Sequence, residues 1–188
     1  QTLMLLVLAT LGLRSGQVRL PYGVVAGRVN SLGAEFLGIP YAPQPRRFEP
    51  PESWTSNFTD GWLDATSFTV QCPQAPQPGN PPMSEDCLQL NVYVPHHEAA
   101  GDAAPLPVMV WIHGGGLVDG SAMLPIYNGS RLAAEQRTIV VAMNYRLNAL
   151  GFAAVTARGG KVVANNGFRD QQEALRWVQR HVGAFGGN

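Results

Sequence analysis

Val108-Met109-Val110-Trp111-Ile112-His113-Gly114-Gly115-Gly116 is the stretch that decides how this chain is read. Five apolar residues fit a buried parallel strand, and the run breaks abruptly into a histidine and three glycines. Glycine lacks a Cβ, so such a loop reaches positive φ angles and brings its own backbone against a ligand. Acyl transfer from an ester passes through a tetrahedral intermediate whose oxygen becomes negative. Uncharged backbone N–H groups held close to that oxygen stabilise it strongly in a dry site. The strand-to-glycine junction therefore has the form of an oxyanion hole.

Outward from that junction, composition sets the frame. The chain has 188 residues, 45% of them hydrophobic, enough for one domain with a sizeable core. Thirteen basic residues balance thirteen acidic ones, and no basic run carries interleaved aromatics, which argues against nucleic acid and against an anionic membrane surface as partners. Leu3 to Leu13 is too short to span a bilayer but has the length of a signal-peptide core. Residues 1–16 are therefore expected to be a signal peptide, cut short at its start because the chain opens on Gln1 without a basic leader. The other reading of this run is a buried core helix. Secretion follows as an expectation, with no membrane insertion after signal cleavage.

Cys72 and Cys87 are the two cysteines, with a proline-rich segment between them. In an oxidising compartment this spacing suits one disulfide closing a surface loop, worth about 3 kcal/mol in the loop-entropy model; two free thiols are the alternative. Asn57-Phe58-Thr59 and Asn128-Gly129-Ser130 are glycosylation sequons, and Asn128-Gly129 is as readily a plain turn.

The pattern from Gly23 to Ile39 predicts a β-hairpin turning at Asn30-Ser31-Leu32-Gly33. Residues 40–85 predict a long irregular excursion. Strands are predicted over 90–94, 108–112 and 139–144, a short helix around 130–136, and a clearer helix from about Arg169 to Val182. That helix has an apolar face of Ala174, Leu175, Val178 and Val182, with Arg169, Glu173, Arg176 and Arg180 largely elsewhere. Strands alternating with helices predict a mostly parallel central sheet.

The ordered blocks identify the resemblance: Gly38-Ile39-Pro40-Tyr41-Ala42, Arg47-Phe48, Ser84-Glu85-Asp86-Cys87-Leu88-Gln89-Leu90-Asn91-Val92-Tyr93-Val94, His113-Gly114-Gly115-Gly116, Asn144-Tyr145-Arg146, Asp170-Gln171 and Phe185-Gly186-Gly187-Asn188. Together they resemble the N-terminal part of a type-B carboxylesterase, a cholinesterase-like α/β-hydrolase, over about residues 17–188. The resemblance implies an α/β-hydrolase fold, incomplete, with an N-terminal β-hairpin. It implies a serine acyl-enzyme mechanism on a small carboxylic ester, with no metal or organic cofactor. Gly115 and Gly116 would donate amides to the oxyanion, with Gly114 shaping the turn and His113 bracing it. In this fold the triad runs in the order serine, acid, histidine, so a histidine ahead of the nucleophile is not the base. Cys72 and Cys87 match the family's first disulfide. Arg47 with Glu85, and Arg146 with Asp170, match two buried ion pairs.

None of the eight serines lies in a G-x-S-x-G elbow. The family places that elbow shortly after the Phe-Gly-Gly-Asn block, so the nucleophile and the triad acid and histidine are expected beyond Asn188. These residues alone should not hydrolyse esters, and they should leave an open sheet edge with exposed apolar surface. Pro73 to Asp86 contain no Trp, Tyr or Phe, which removes a cation–π site from that loop and favours a general ester over choline. Leu117 stands where an aromatic residue commonly follows the glycines. The rival reading is a catalytically dead, neuroligin-like cell-adhesion protein; the intact Gly116 and Asp170-Gln171 favour the enzyme. A thyroglobulin-like precursor role has less support still. His96 and His97 lack a third metal ligand and are read as solvated, and His181 as a surface residue at a helix C-terminus.

Overall fold

The computed structural model describes residues 16–96, 104–156, 159–160 and 162–188; Leu3–Leu13 and His97 lie outside them. The principal sheet contains β3 (Arg28–Asn30), β4 (Gly33–Pro40), β6 (Gln89–Pro95), β7 (Val108–Ile112) and β8 (Ile139–Met143), in the order β3-β4-β6-β8-β7. β8 lies inside it with all five residues buried, as expected for an unbroken apolar run covered on both faces. A smaller sheet joins β1 (Gln17–Leu20), β2 (Gly23–Ala26) and β5 (Trp62–Asp64), and β9 (Val155–Thr156) pairs with β10 (Val162–Val163). Among the described residues three α-helices accompany them: α1 (Ser130–Gln136), α2 (Asn148–Phe152) and α3 (Asn166–His181).

The fold is α/β, but its described principal sheet is mixed, not mostly parallel. β3–β4, β4–β6 and β6–β8 are antiparallel, and only β7–β8 is parallel. Connection length explains the difference. β3 and β4 are joined by the two residues Ser31-Leu32, where Asn30 Oδ1 accepts the amides of Leu32 and Gly33, which forces reversal. Between β7 and β8 the chain has room for α1, and such a crossover is what parallel neighbours require.

The expected hairpin over 23–39 resolves into two. β2 pairs with β1, and only β3 and β4 form the hairpin at the Asn30–Gly33 turn. The break falls at Gly27, where a Cβ would stand 2.4 Å from the Glu35 carbonyl oxygen. The excursion from Pro40 to Glu85 also holds one regular strand, β5, which pairs parallel with β2.

α3 begins earlier than its apolar period implied and buries a different line of residues. Ala174, Val178 and the following Val182 face inward, but Leu175 is 44% exposed. Trp177 is fully buried, with its ring 6.1 Å from Phe185, which meets Phe36 edge-on at 5.0 Å. Asp170 and Glu173 share that inward face because each is partnered there. Trp177→Ala is expected to cost about 3–5 kcal/mol in a denaturant titration, whereas Leu175→Ala should leave the midpoint nearly unmoved.

Candidate active site

The glycine loop leaves the edge strand β7 at Ile112. His113 is buried and Gly114, Gly115 and Gly116 are exposed. The backbone turns through φ values of +118° at Gly115 and +61° at Gly116, and Leu117 follows at +67°. A Cβ on Gly115 would lie 2.1 Å from the Asp119 carbonyl oxygen, so this position requires glycine on steric grounds. The Gly115 carbonyl accepts the amides of Val118 and Asp119 at 3.0 and 3.1 Å, which closes the turn. Among the described residues, nothing accepts the amides of Gly115 and Gly116. A cavity of about 200 Å³ opens beside Gly114 and Gly115 and is also lined by Gln74, Gln77, Asn80, Asp119 and Tyr127.

The loop is braced from several directions. His113 stacks on Tyr145 with ring centres 4.4 Å apart, and the Tyr145 hydroxyl donates to the His113 carbonyl at 2.9 Å. His113 Nδ1 bonds the Gly114 carbonyl at 2.9 Å, and burial holds its pKa below the ordinary value, so the ring is neutral at pH 7. Beyond the glycines, Asn144 Oδ1 accepts the Ser121 hydroxyl and the Ala122 amide. On the other flank the Asn148 amide donates to the Leu117 carbonyl and its side chain donates to the Val118 carbonyl. From the disulfide loop, Gln74 pairs with the Gly120 backbone. Sequence reasoning missed Gln74, Asn144 and Asn148 as braces. For Asn144 and Asn148 the available signal was a set of polar residues following directly on the wholly apolar β8; Gln74 carried none.

Cys72 and Cys87 form a disulfide, with Cα atoms 5.1 Å apart. Arg146 and Asp170 are buried and joined by two side-chain bonds at 2.8 and 2.7 Å; the Arg146 amide adds a third at 3.0 Å. A fourth bond runs from Arg146 Nη1 to the Glu49 carbonyl at 2.8 Å. Burial pushes the Asp170 carboxyl above its ordinary pKa, against the pull of Arg146. The second expected pair is formed but not buried. Arg47 meets Glu85 at 2.6 Å, its side chain 69% exposed and that of Glu85 25% exposed, both outside the helices and strands.

His181 is another correction. It is buried, and its Nε2 is hydrogen-bonded to the Tyr22 hydroxyl at 2.6 Å, because the turn between β1 and β2 folds over the end of α3. His96 is exposed, with Nε2 at 2.7 Å from the Asn30 carbonyl. Asn57 is exposed on a loop and Thr59 is exposed at the start of a 3-10 turn, whereas Asn128 is half-buried, its side-chain oxygen accepts the Ser130 amide, and the Ser130 hydroxyl donates to Glu35.

With the architecture and the loop in place, comparison with known proteins decides the family. The carboxylesterase family profile matches residues 14–188. The chain belongs to the carboxylesterase family. It is 44% identical over 168 residues to the cocaine esterase of Oryctolagus cuniculus, covering 81% of this chain and 30% of that protein. Identity to the para-nitrobenzyl esterase of Bacillus subtilis (strain 168) is 40% over 179 residues, covering 89% of this chain and 35% of that one. Among solved structures, a PNB esterase superposes with a TM-score of 0.81 at 41% identity, covering 93% of this chain and 36% of the other. A thermophilic PNB esterase gives 0.82 at 39%, covering 93% and 37%. The chain therefore spans about a third of the length of these relatives.

Two outcomes follow from the chain's buried polar groups. Arg146→Ala strands the Asp170 carboxylate and is expected to cost about 3–5 kcal/mol, whereas Arg47→Ala should barely move the unfolding midpoint in the same titration. His113 and His181 both have pKa values lowered first by burial, with Arg180 adding to the effect at His181. As pH falls below about 6.5 the unfolded chain takes up these protons before the folded one. Stability should then decline from pH 7.5 to pH 5.5, and His181→Gln should flatten part of that slope in urea titrations.

Proposed function

We propose that the protein to which these residues belong hydrolyses small carboxylic esters through a serine acyl-enzyme, and that this segment supplies the oxyanion-binding amides of Gly115 and Gly116. The observation that carries the reading is the exposed pair of unpartnered N–H groups on a tightly closed turn, beside an open cavity. Buried elsewhere, two such donors would each lack compensation; on an exposed turn whose Gly115 lines the cavity and whose Gly116 follows it, they suit an oxygen that gathers charge as the ester carbonyl becomes tetrahedral. The same amides would serve acylation by the serine and hydrolysis of the acyl-enzyme by water, since both steps pass through the same kind of anion.

The nucleophile, its acid and its histidine are proposed to follow Asn188. Two features support that placement. No serine among these residues sits between elbow glycines, and Gly187 already forms a parallel bridge with Leu106 just ahead of β7. A chain continuing from there alongside the β7 edge would arrive beside the glycine loop.

The cavity's aromatic ring comes from Tyr127, while the disulfide loop offers the side-chain amides of Gln77 and Asn80; that of Gln74, also in the lining, is engaged by Gly120 and Cys72. That lining favours a neutral ester with hydrogen-bonding groups over a quaternary ammonium ester. The names of the relatives, a cocaine esterase and a para-nitrobenzyl esterase, agree with ester substrates. We further propose a secretory route, supported by the disulfide, with Asn57 as the better glycan acceptor because Asn128 is engaged in its own turn.

In the full-length protein, Gly115→Ala should lower kcat on a p-nitrophenyl ester by about 100-fold or more. A fluorophosphonate probe should label a single serine beyond residue 188. Absence of both labelling and turnover would remove the hydrolase reading and leave the adhesion alternative.

A further inference from the structure

Gln74 lies in the disulfide loop, two residues after Cys72, and its side chain reaches across to the end of the glycine loop. Its Nε2 donates to the Gly120 carbonyl and its Oε1 accepts the Gly120 amide, each at 2.9 Å. This is a strand-like pair made by a side-chain amide. A third bond, from Nε2 to the Cys72 carbonyl at 3.1 Å, fixes the rotamer beside the disulfide. The Gln74 amide also meets Met83 Sδ at 3.4 Å, so the residue is held by its own loop as well as by its target.

Gly120 is where the glycine loop crosses its own entry. Its φ is +108°, and a Cβ there would lie 2.4 Å from His113 Nδ1 and 2.5 Å from the Gly114 carbonyl oxygen. Displacing Gly120 therefore displaces His113 and Gly114, and with them the amides that follow.

We propose that Gln74 is a positioning residue for the esterase reaction: through its paired hydrogen bonds to Gly120 it sets where Gly115 and Gly116 present their N–H groups. This inference rests on the reading of those two glycines as oxyanion donors. Gln74 touches the loop and not the reacting atoms. Its effect belongs to the transition state, where a donor about 1 Å out of place costs roughly 100-fold, and to little else.

The test uses the full-length protein with Gln74→Met, which keeps the length of the side chain and loses both bonds to Gly120 together with the one to Cys72, and Gln74→Glu, which keeps the acceptor for the Gly120 amide. Gln74→Met should lower kcat by about 10- to 100-fold with KM within about twofold. Affinity for a trifluoromethyl ketone should fall by the same factor, and Gln74→Glu should recover part of both. An unchanged kcat, or a loss of kcat that tracks Tm with no rescue by Glu, overturns the proposal. Amide hydrogen exchange at Gly115, Gly116 and Gly120 gives a readout that needs no activity. Exchange should quicken at least tenfold in Gln74→Met and less in Gln74→Glu, and unchanged exchange in both also overturns it. Wild-type protein without turnover would sink the hydrolase reading alone, and the exchange result would still decide whether Gln74 holds the loop.

Discussion

The five residues after β8, Asn144 to Asn148, are the constraint on which the site depends. Asn144 holds Ser121, Ala122 and the Val70 carbonyl; Tyr145 holds His113; Arg146 holds Asp170 and Glu49; Asn148 holds Leu117 and Val118. One short segment thus ties the glycine loop, the excursion that precedes β6, and α3 to the end of a fully buried strand. A glycine-rich loop has the largest backbone entropy to lose on ordering. These side chains hold it from outside, and the amides of Gly115 and Gly116 have no acceptor among the described residues.

Burial and charge are balanced unevenly across the molecule. Arg146 and Asp170 are almost fully removed from water, and taking both charges out of water costs several kcal/mol per ion that their attraction must first offset, so burial pushes the Asp170 carboxyl up against the pull of Arg146. The pair is therefore better understood as a fixed junction than as a source of net stability. Glu173 is different: Ser53, Arg180 and Arg176 bond to its carboxylate and pull its pKa down even against burial. The inward face of α3 carries these polar groups because the irregular excursion supplies partners at the right places.

Much of the architecture was legible locally. The runs that became β7 and β8 are continuous and apolar, that of β6 is apolar apart from Gln89 and Asn91, the Asn30–Gly33 turn has its own side-chain acceptor, and α1 lies where the sequence placed it. Strand direction was not legible, since it depends on which strands become neighbours: β8 inserts between β6 and β7, although β7 precedes it in the chain. The helix face was misjudged at Leu175, Glu173 and His181 for a related reason. An apolar period cannot show that a distant Ser53 or Tyr22 will make a polar residue comfortable inside.

Local chemistry in the sequence therefore determined the strand that ends in His113, the need for glycine where the backbone turns through positive φ, and the identity of the family, because each of these resides in contiguous residues. Only the tertiary structure decided that Arg47 and Glu85 pair in the open while Arg146 and Asp170 pair inside, that His181 is buried under Tyr22, and that Gln74 reaches Gly120. Burial and hydrogen-bond partnership are properties of residues far apart in the chain, and they come into being only when the fold brings those residues together.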